Sequence, residues 1–343
     1  MMKKFDFKDI AIVPEIISSI NSRSEVNPYN ELGTLPIMVA PMDTVVDDNN
    51  YTVFKDNKLL ICYPRHIGTQ NGVNFISVSL DEFELIVDSF DFEGLRDTPM
   101  NILVDVANGH MEKLLNLSKD FVRLRWPPTQ KLMIGNIANP KTYKIFSEIG
   151  VDYVRCGIGG GSACLTSANT GVHYPMASLI KECYDYKLTH GFNTKIVADG
   201  GFRNYDDIIK ALCLGADYVM LGGVLNKTLE SCGDTMLFGK IKLTPKQSEF
   251  VWEKLPSLRR FLYKKYRGMS TKEVQKKWGR STIKTSEGIS KLNKVEYTTK
   301  GWTDNFVDYL KSAMSYTNST TLEEFKNSEY VFVTQNALNR YHK

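Results

Sequence analysis

The chain has 343 residues, of which 42% are hydrophobic and 24% charged, and its formal net charge is +4 at pH 7. This composition is typical of a globular protein and excludes a disordered or fibrous one. The longest apolar runs have the length of a strand, far below the roughly 20 residues that cross a bilayer, and no targeting segment is recognisable. We therefore expect a cytoplasmic protein with no membrane partner and, because its charge is mild, no nucleic-acid partner.

Eight short β-rich runs recur along the first two thirds of the chain, each followed by polar or glycine-rich residues. They lie at 35–41, 59–64, 75–80, 101–109, 132–137, 153–160, 195–201 and 218–223. Nearly continuous apolar runs are typical of strands covered on both faces, as in a parallel sheet. Helix-like segments at 139–150 and 204–215 lie between such runs, and each ends in a glycine suited to a helix C-cap.

This alternation predicts the fold class as α/β, a (β/α)8 TIM barrel with a C-terminal active-site lid. An open, doubly wound sheet is the alternative, but neither a P-loop nor a Rossmann glycine fingerprint supports it. The chemistry of such a barrel lies on the loops that follow its strands. Several polar residues and one cysteine stand at those places: Asp43, Asp105, Asn108, Asn136, Cys164 and Asp199.

The pattern changes after the eighth run. Residues 224–300 are polar, rich in lysine and weakly periodic, with 245–265 as the most helix-like part, and two further helices are predicted near 303–316 and 321–328. A long stretch of this kind is typical of an active-site lid. We therefore predict one barrel domain over residues 1–343, with an insertion and mobile lid at 224–300.

The sequence GIGGGSACLTS, residues 157–167, follows the sixth predicted strand and has four glycines in its first five residues. Backbone N–H groups exposed by glycine suit anions, and Ser162 adds a hydroxyl donor. A tight turn explains this loop equally well by itself. Glycine pairs at 200–201 and 222–223 follow the next two strands, however, where barrels commonly bind phosphate. The three loops together predict a phosphate site.

Cys164 stands at the mouth of this predicted phosphate loop. A lone cysteine is more often a core residue than a nucleophile, but anion-binding N–H groups suit the negatively charged thiolate, which is the reactive form. A covalent mechanism also needs a proton donor for the leaving group. Thr166 and Glu287 are the candidates.

Motifs spread through nearly the whole chain resemble those of the IMP dehydrogenase/GMP reductase family. They are FDFKDIAIVP, SRSEV, APMDTV, VDVANGH, GNI, the glycine loop with TGVHYPMASLI, VADGG, LGADYVMLGG, YRGMS, SEG and VTQ. A co-linear set of this kind is much more specific than one glycine loop. The resemblance implies a (β/α)8 barrel, a purine nucleotide monophosphate as substrate, NADPH and K⁺ as cofactors, and a homotetramer.

The resemblance also implies roles for individual residues. Cys164 would attack C2 of the purine to form a thioimidate, and Thr166 with Glu287 would relay the proton. The substrate would be bound by Ser162, Asp199, Gly200, Gly201, Gly222, Gly223, Gly268, Met269 and Ser270. The nicotinamide cofactor would be bound by Ser22, Arg23, Arg65, Asp105, Val106, Ala107, Asn108, Cys156, Gly157, Met269, Lys284 and Ser315. The monovalent cation would be held by Gly157, Gly159, Cys164 and Ser167.

Within the family, the motifs are closest to those of GMP reductase, which expels ammonia from GMP and reduces the adduct with NADPH. The segments GMS and VTQN follow the reductase pattern, and the lid lacks the Arg-Tyr pair with which dehydrogenases activate water. Several departures leave alternatives open: Pro41 is dehydrogenase-like, Arg65 replaces a lysine, Lys284 replaces an arginine, Ile283 replaces a tyrosine, and the insertion around 240–265 is longer than is usual in the family. The alternatives are an IMP dehydrogenase that forms XMP with NAD, the same chemistry on a modified or deoxy purine nucleotide, and a nucleotide sensor without activity.

Overall fold

A closed barrel of eight parallel strands is the centre of the computed structural model, which describes residues 3–65, 74–89, 101–125, 130–269, 271–272, 274, 285 and 288–341. After a short strand, β1 (Ile10–Ile12), the barrel strands are β2 (Ile37–Val39), β3 (Leu60–Tyr63), β4 (Phe75–Val78), β5 (Asn101–Asp105), β6 (Leu132–Ile137), β7 (Tyr153–Cys156), β8 (Lys195–Asp199) and β9 (Tyr218–Leu221). The barrel closes where β9 pairs with β2. Each strand lies within one of the eight predicted runs, so the predicted (β/α)8 barrel is confirmed.

The barrel strands are apolar on both faces because they separate two cores. Successive side chains of a strand point to opposite faces. One set fills the inside of the barrel, with Met38, Leu103 and Tyr153 among its members. The other set, including Val39 and Val104, packs against the surrounding helices. This double burial explains why the strands appear in the sequence as continuous rather than alternating apolar runs.

Helices follow most of the barrel strands along the chain. The described ones are α1 (Tyr51–Asp56), α2 (Leu80–Ser89), α3 (Glu112–Leu124), α4 (Pro140–Glu148), α5 (Thr166–Thr170), α6 (Met176–His190), α7 (Tyr205–Cys213) and α8 (Gly223–Asn226). Helix α4 begins where the Asn139 side chain accepts a hydrogen bond from the Lys141 backbone N–H, with Pro140 at its first position. Helices α4 and α7 confirm the predictions at 139–150 and 204–215.

A small antiparallel sheet follows the barrel, in the strand order β11-β10-β12-β13. Its elements are β10 (Thr235–Leu237), β11 (Ile241–Leu243), α9 (Pro245–Lys254), α10 (Pro256–Arg259), β12 (Leu262–Arg267) and β13 (Ser290–Lys294). The predicted helix at 245–265 is therefore interrupted at Leu255 and is wrong in its last residues, 262–265, which belong to β12. The residue before a proline disfavours the helical conformation, so α9 ends at Lys254 with Leu255 as its C-cap, and the alternating burial of 262–266 is that of a strand.

The last part of the described chain packs against the outside of the barrel and near the amino ends of its strands. It comprises α11 (Thr299–Tyr316), α12 (Leu322–Phe325), β14 (Tyr330–Phe332) and α13 (Gln335–Tyr341). Helices α11 and α12 confirm the predictions near 303–316 and 321–328, the second being shorter than expected. Strand β14 pairs antiparallel with β1. In the described part of the chain, every helix is too short or too polar to cross a lipid bilayer.

Buried charges join the helices to the barrel beside Asp217, which precedes β9. Its carboxylate accepts hydrogen bonds from Lys187 Nζ at 2.7 Å, from Lys326 Nζ at 2.7 Å and from the Ile196 backbone N–H at 2.7 Å. Burial opposes ionisation of this carboxyl, but the positive charges of Lys326 and Lys187 hold the pKa of Asp217 below its usual value. The ionised carboxylate therefore ties α6 and the chain after α12 to strand β8.

Replacing Asp217 is expected to destabilise the fold. Asp217→Asn leaves the largely buried Lys187 without a charged partner and Lys326 with only the exposed carboxylate of Glu323, and breaking such a buried pair typically costs about 3–5 kcal/mol. Urea unfolding at pH 7 measures the decrease in the free energy of unfolding. Because the folded-state pKa is lowered, the stabilisation exists above the unfolded-state pKa of about 3.9 and fades as the pH falls below it.

The matched control is Asp304→Asn, which removes a carboxylate from an exposed pair with Lys300 on α11. Exposed pairs contribute about 1 kcal/mol or less. An equal decrease in the free energy of unfolding of the two variants would contradict a structural role for the Asp217 cluster.

Candidate active site

A large cavity opens at the carboxyl ends of the barrel strands. Its volume is about 710 Å³, within the range of roughly 300–1,000 Å³ that is common for small-molecule sites. Most of the predicted site residues line it. They are Arg65, Asp105, Val106, Ala107, Gly157, Gly159, Ser162, Cys164, Thr166, Asp199, Gly200, Gly201, Gly222, Gly223, Gly268 and Met269. The structure thus brings together predicted residues from five of the barrel loops and from the end of β12.

The remaining predicted residues do not line this cavity or are not described. Those outside the lining are Ser22, Arg23, Asn108, Cys156, Ser167 and Ser315. Cys156 is fully buried in the core between barrel and helices. Ser22 caps the short helical turn Arg23–Glu25, which packs on the α11 helix that carries Ser315. Three predicted residues lie outside the described part of the chain: Ser270, Lys284 and Glu287.

The glycine loop passes very close to the neighbouring strand. Gly157, directly after β7, has a φ of +129°, and a Cβ atom there would lie 2.2 Å from the Asp199 carbonyl oxygen. Its backbone N–H donates to the Ile137 carbonyl at 2.7 Å. Only glycine combines this conformation with this approach, so the residue type is required for the loop to leave β7 towards the cavity.

Cys164 lies on the wall of this cavity with a hydroxyl beside its sulfur. The side chain is half-buried, and its Sγ is 3.3 Å from Thr166 Oγ1. All six cysteines belong to the described part of the chain, and only Cys164 lines the cavity. Burial raises the pKa of Cys62 and of Cys213 to about 12. Those two thiols are therefore inert, and Cys164 is the cysteine positioned to react with a ligand.

The last residue of the SEG motif and the residue after it pair with the nucleophile loop. Cys164 forms an isolated antiparallel bridge with Gly288. The Ile289 N–H donates to the Ala163 carbonyl, and the Gly268 N–H donates to the Ile289 carbonyl, each at 3.0 Å. These contacts join the sheet after the barrel to the loop that carries Cys164.

One end of the cavity is formed by Ser162, the glycine pair after β9 and a tyrosine. A Cβ atom on Gly223 would lie 2.9 Å from Ser162 Oγ and 3.6 Å from the Tyr266 hydroxyl, so the three groups face each other closely. Tyr266 is buried, and burial raises its pKa, so its hydroxyl stays protonated. The backbone and hydroxyl donors at this end suit a phosphate group.

The floor of the cavity contains a chain of buried charges centred on Arg155. Its Nη1 lies 2.6 Å from Asp105 Oδ1, and its Nε lies 2.9 Å from Asp199 Oδ2. Asn136 Nδ2 also donates to Asp199 Oδ2, at 2.7 Å, and Arg65 donates to the Asp105 carbonyl. Burial opposes the charge, but Asp199 and Asp105 raise the pKa of Arg155. One cation therefore holds both carboxylates in a fixed orientation.

Sequence reasoning missed both Arg155 and Tyr266. The signal for Arg155 was a charged residue in the middle of the apolar run YVRCGIGG, which a purely structural strand would not contain. The signal for Tyr266 was its alternation with Leu262 and Lys264, which places the three side chains on one face of β12.

Backbone carbonyls of the glycine loop offer oxygen ligands of the kind that hard cations prefer. The Gly159 carbonyl lies 3.0 Å from Ser167 Oγ, and the Gly157 carbonyl accepts a hydrogen bond from Asn136 Nδ2 at 2.7 Å. Each carbonyl keeps a second lone pair. These oxygen ligands fit a monovalent cation. In the described residues, no cluster of three His, Cys, Asp or Glu side chains suits another metal ion.

Comparison with known proteins agrees with this arrangement. Residues 95–246 match the family model described as IMP dehydrogenase / GMP reductase domain. The chain is 31% identical to GMP reductase 2 of Homo sapiens, over 97% of its own length and 95% of that protein. It is 30% identical to GMP reductase of Phytophthora infestans, over 97% of its own length and 91% of that protein. The chain is therefore an oxidoreductase that belongs to the IMP dehydrogenase/GMP reductase family and resembles its GMP reductases over nearly its whole length.

Proposed function

We propose that the protein reduces GMP to IMP and ammonia with NADPH, through a thioimidate between Cys164 and C2 of the purine. The observation that carries the proposal is the 3.3 Å contact between Cys164 Sγ and Thr166 Oγ1 on the wall of a nucleotide-sized cavity. The similarity to proteins named GMP reductase supports the same substrate. We also propose a cytoplasmic homotetramer, as the sequence motifs imply.

The proposed substrate lies along the cavity from its phosphate end to the nucleophile. Ser162 with the backbone of Gly222 and Gly223 binds the phosphate, and Asp199 accepts hydrogen bonds from the ribose. Gly200, Gly201, Gly268, Met269 and Ser270 complete the contacts. Cys164 is only two residues from Ser162, so a nucleotide whose phosphate is bound there has its base within reach of the sulfur.

The proposed reaction begins with attack of the Cys164 thiolate on C2, which forms a C–S bond. The C2 amino group then leaves as ammonia, after Thr166 delivers a proton to it and Glu287 resupplies that proton to the hydroxyl. Glu287 is next to Gly288, the residue that pairs with Cys164. Hydride transfer to C2 follows, and the sulfur leaves as thiolate with the bonding electron pair, which releases IMP.

NADPH, when bound, supplies that hydride. Asp105, Val106, Ala107, Arg65 and Gly157 line the side of the cavity next to Arg155, and their backbone and carboxylate groups fit a nicotinamide riboside. We propose that the rest of the cofactor contacts a more distant set of residues. They are Ser22, Arg23, Asn108, Lys284 and Ser315, together with Met269 on the cavity wall, whereas the fully buried Cys156 would only support the strand that leads to Gly157.

A direct assay tests the proposal against the dehydrogenase and deoxy alternatives. Absorbance at 340 nm should fall when the protein is mixed with GMP and NADPH, and it should not rise with IMP and NAD. dGMP in place of GMP measures the importance of the ribose 2′-hydroxyl. Turnover with IMP and NAD alone would overturn the proposal.

The first prediction from this mechanism concerns the nucleophile. Cys164→Ala is expected to abolish turnover because no other group can form the covalent bond, while GMP binding stays within about tenfold of the wild type, or about 1.4 kcal/mol. Calorimetry measures binding beside the rate assay. Cys213→Ala, which removes a buried thiol from α7, is the control and should keep its activity. Appreciable turnover by Cys164→Ala would exclude the covalent mechanism.

The second prediction concerns Arg155. Arg155→Met leaves the carboxylates of Asp105 and Asp199 without the cation that orients them, so we expect the KM for GMP to rise at least about tenfold. Arg155→Lys keeps the charge but lacks the planar fork that offers a separate nitrogen to each carboxylate, and it should be intermediate. Arg123→Met, which removes an exposed arginine from α3, is the control. A normal KM for GMP in Arg155→Met would contradict the role in positioning Asp199.

The third prediction concerns the cation. We propose that K⁺ binds the carbonyls of Gly157, Gly159 and Cys164 with the Ser167 hydroxyl, and so orders the loop around the nucleophile. Activity should be higher in K⁺ than in Na⁺ or Li⁺ at matched ionic strength, and Ser167→Ala should reduce this preference. Equal rates with the three cations would mean that the loop needs no specific ion.

A further inference from the structure

Lys291 brings a positive charge to the phosphate end of the cavity. It lies on β13, whose burial alternates, so Lys291 and Asn293 face the cavity while Lys294 is exposed. The Lys291 ammonium donates to the Ser162 carbonyl at 3.0 Å and lies 5.8 Å from the centre of the Tyr266 ring. It is therefore beside the same two residues that, with Gly223, form the phosphate end.

The charge of Lys291 is not neutralised by the protein around it. Across the described ranges, no carboxylate lies within ion-pair distance of its Nζ. Lys227 also lines this part of the cavity, and its own charge is paired with Glu296 at 3.0 Å. Partial burial and then the positive charge of Lys227 lower the pKa of Lys291. A half-buried ammonium that is repelled by a second lysine is stabilised by an anion in front of it.

Apart from Lys227, whose charge is paired with Glu296, the other groups described around Ser162 at this end of the cavity are neutral. Ser162 and Tyr266 offer hydroxyls, and Gly222 and Gly223 offer backbone N–H groups. A nucleotide phosphate carries close to two negative charges at neutral pH, and a hydrogen bond from a charged donor to such a group is about twice as strong as a neutral one. The neutral donors fix the position of the phosphate, whereas Lys291 supplies charge.

We propose that Lys291 binds the non-bridging oxygens of the nucleotide 5′-phosphate and makes the site selective for a 5′-monophosphate over the free nucleoside. The inference rests on the proposed function only because it needs a purine nucleotide in this cavity. Lys291 follows the SEG motif and belongs to none of the motifs that imply the substrate-binding residues. Its contact with the Ser162 carbonyl then has a second consequence, since a bound phosphate joins β13 to the loop that carries Cys164.

The competing explanation is that Lys291 only tethers β13 to the Ser162 carbonyl. The two roles differ in what they do to ligands with and without phosphate. Loss of a phosphate contact weakens the binding of GMP and leaves the binding of guanosine unchanged. Loss of a tether that shapes the site weakens the binding of both ligands.

The test is calorimetric binding of GMP and guanosine to the wild type and to Lys291→Gln, Lys291→Arg and Lys294→Gln. We expect Lys291→Gln to weaken GMP binding by at least about tenfold and to change guanosine binding less than about twofold. Lys291→Arg keeps the charge and should bind GMP within about threefold of the wild type. Lys294→Gln removes an exposed lysine from the other face of β13 and should bind both ligands normally.

Two results would overturn the inference: unchanged GMP affinity in Lys291→Gln, or equal weakening of GMP and guanosine. Neither result contradicts the proposed function, because the wild type still binds GMP in both cases. Failure of the wild type itself to bind GMP would overturn the proposed function and the inference together.

Discussion

The buried fork of Arg155 between Asp105 and Asp199 is the interaction on which the rest of the site depends. The two carboxylates end strands β5 and β8, and both face the same enclosed floor. The planar guanidinium offers a separate nitrogen to each of the two carboxylates, so one cation orients both. The barrel therefore presents two oriented carboxylates at the base of one cavity.

The antiparallel sheet of β10 to β13, which follows the barrel in sequence, completes this site at the carboxyl ends of the barrel strands. Arg267, at the end of β12, forms a largely buried ion pair with Asp43 at 2.7 Å, which fixes the sheet to the loop after β2. The segment that follows pairs with Ala163 and Cys164 through Gly288 and Ile289. The wall around the nucleophile is thus built from two segments far apart in sequence. The position of the sulfur depends on both.

The parts of this arrangement that are local in sequence could be predicted, and those that depend on distant pairing could not. The barrel strands and the loop around Cys164 were recognisable because burial on both faces and glycine-rich turns leave strong local patterns. Arg155 was hidden inside a run that has the composition of a core strand. Tyr266 and Lys291 lie on β12 and β13, whose pairing brings them to Ser162, and the weak periodicity of residues 224–300 contains no information about that pairing.

The two ends of the cavity differ in electrostatics, and this difference orients the ligand. On the floor, the two negative charges of Asp105 and Asp199 are balanced by the two positive charges of Arg155 and Arg65, so this region accepts neutral donors such as ribose hydroxyls rather than a further cation. At the opposite end, Lys291 is not balanced, and an anion is favoured there. We propose that a nucleotide meets both conditions in one direction, with its phosphate at Ser162 and its sugar over Asp199. Because Cys164 lies on the same loop as Ser162, that direction also brings the base to the sulfur.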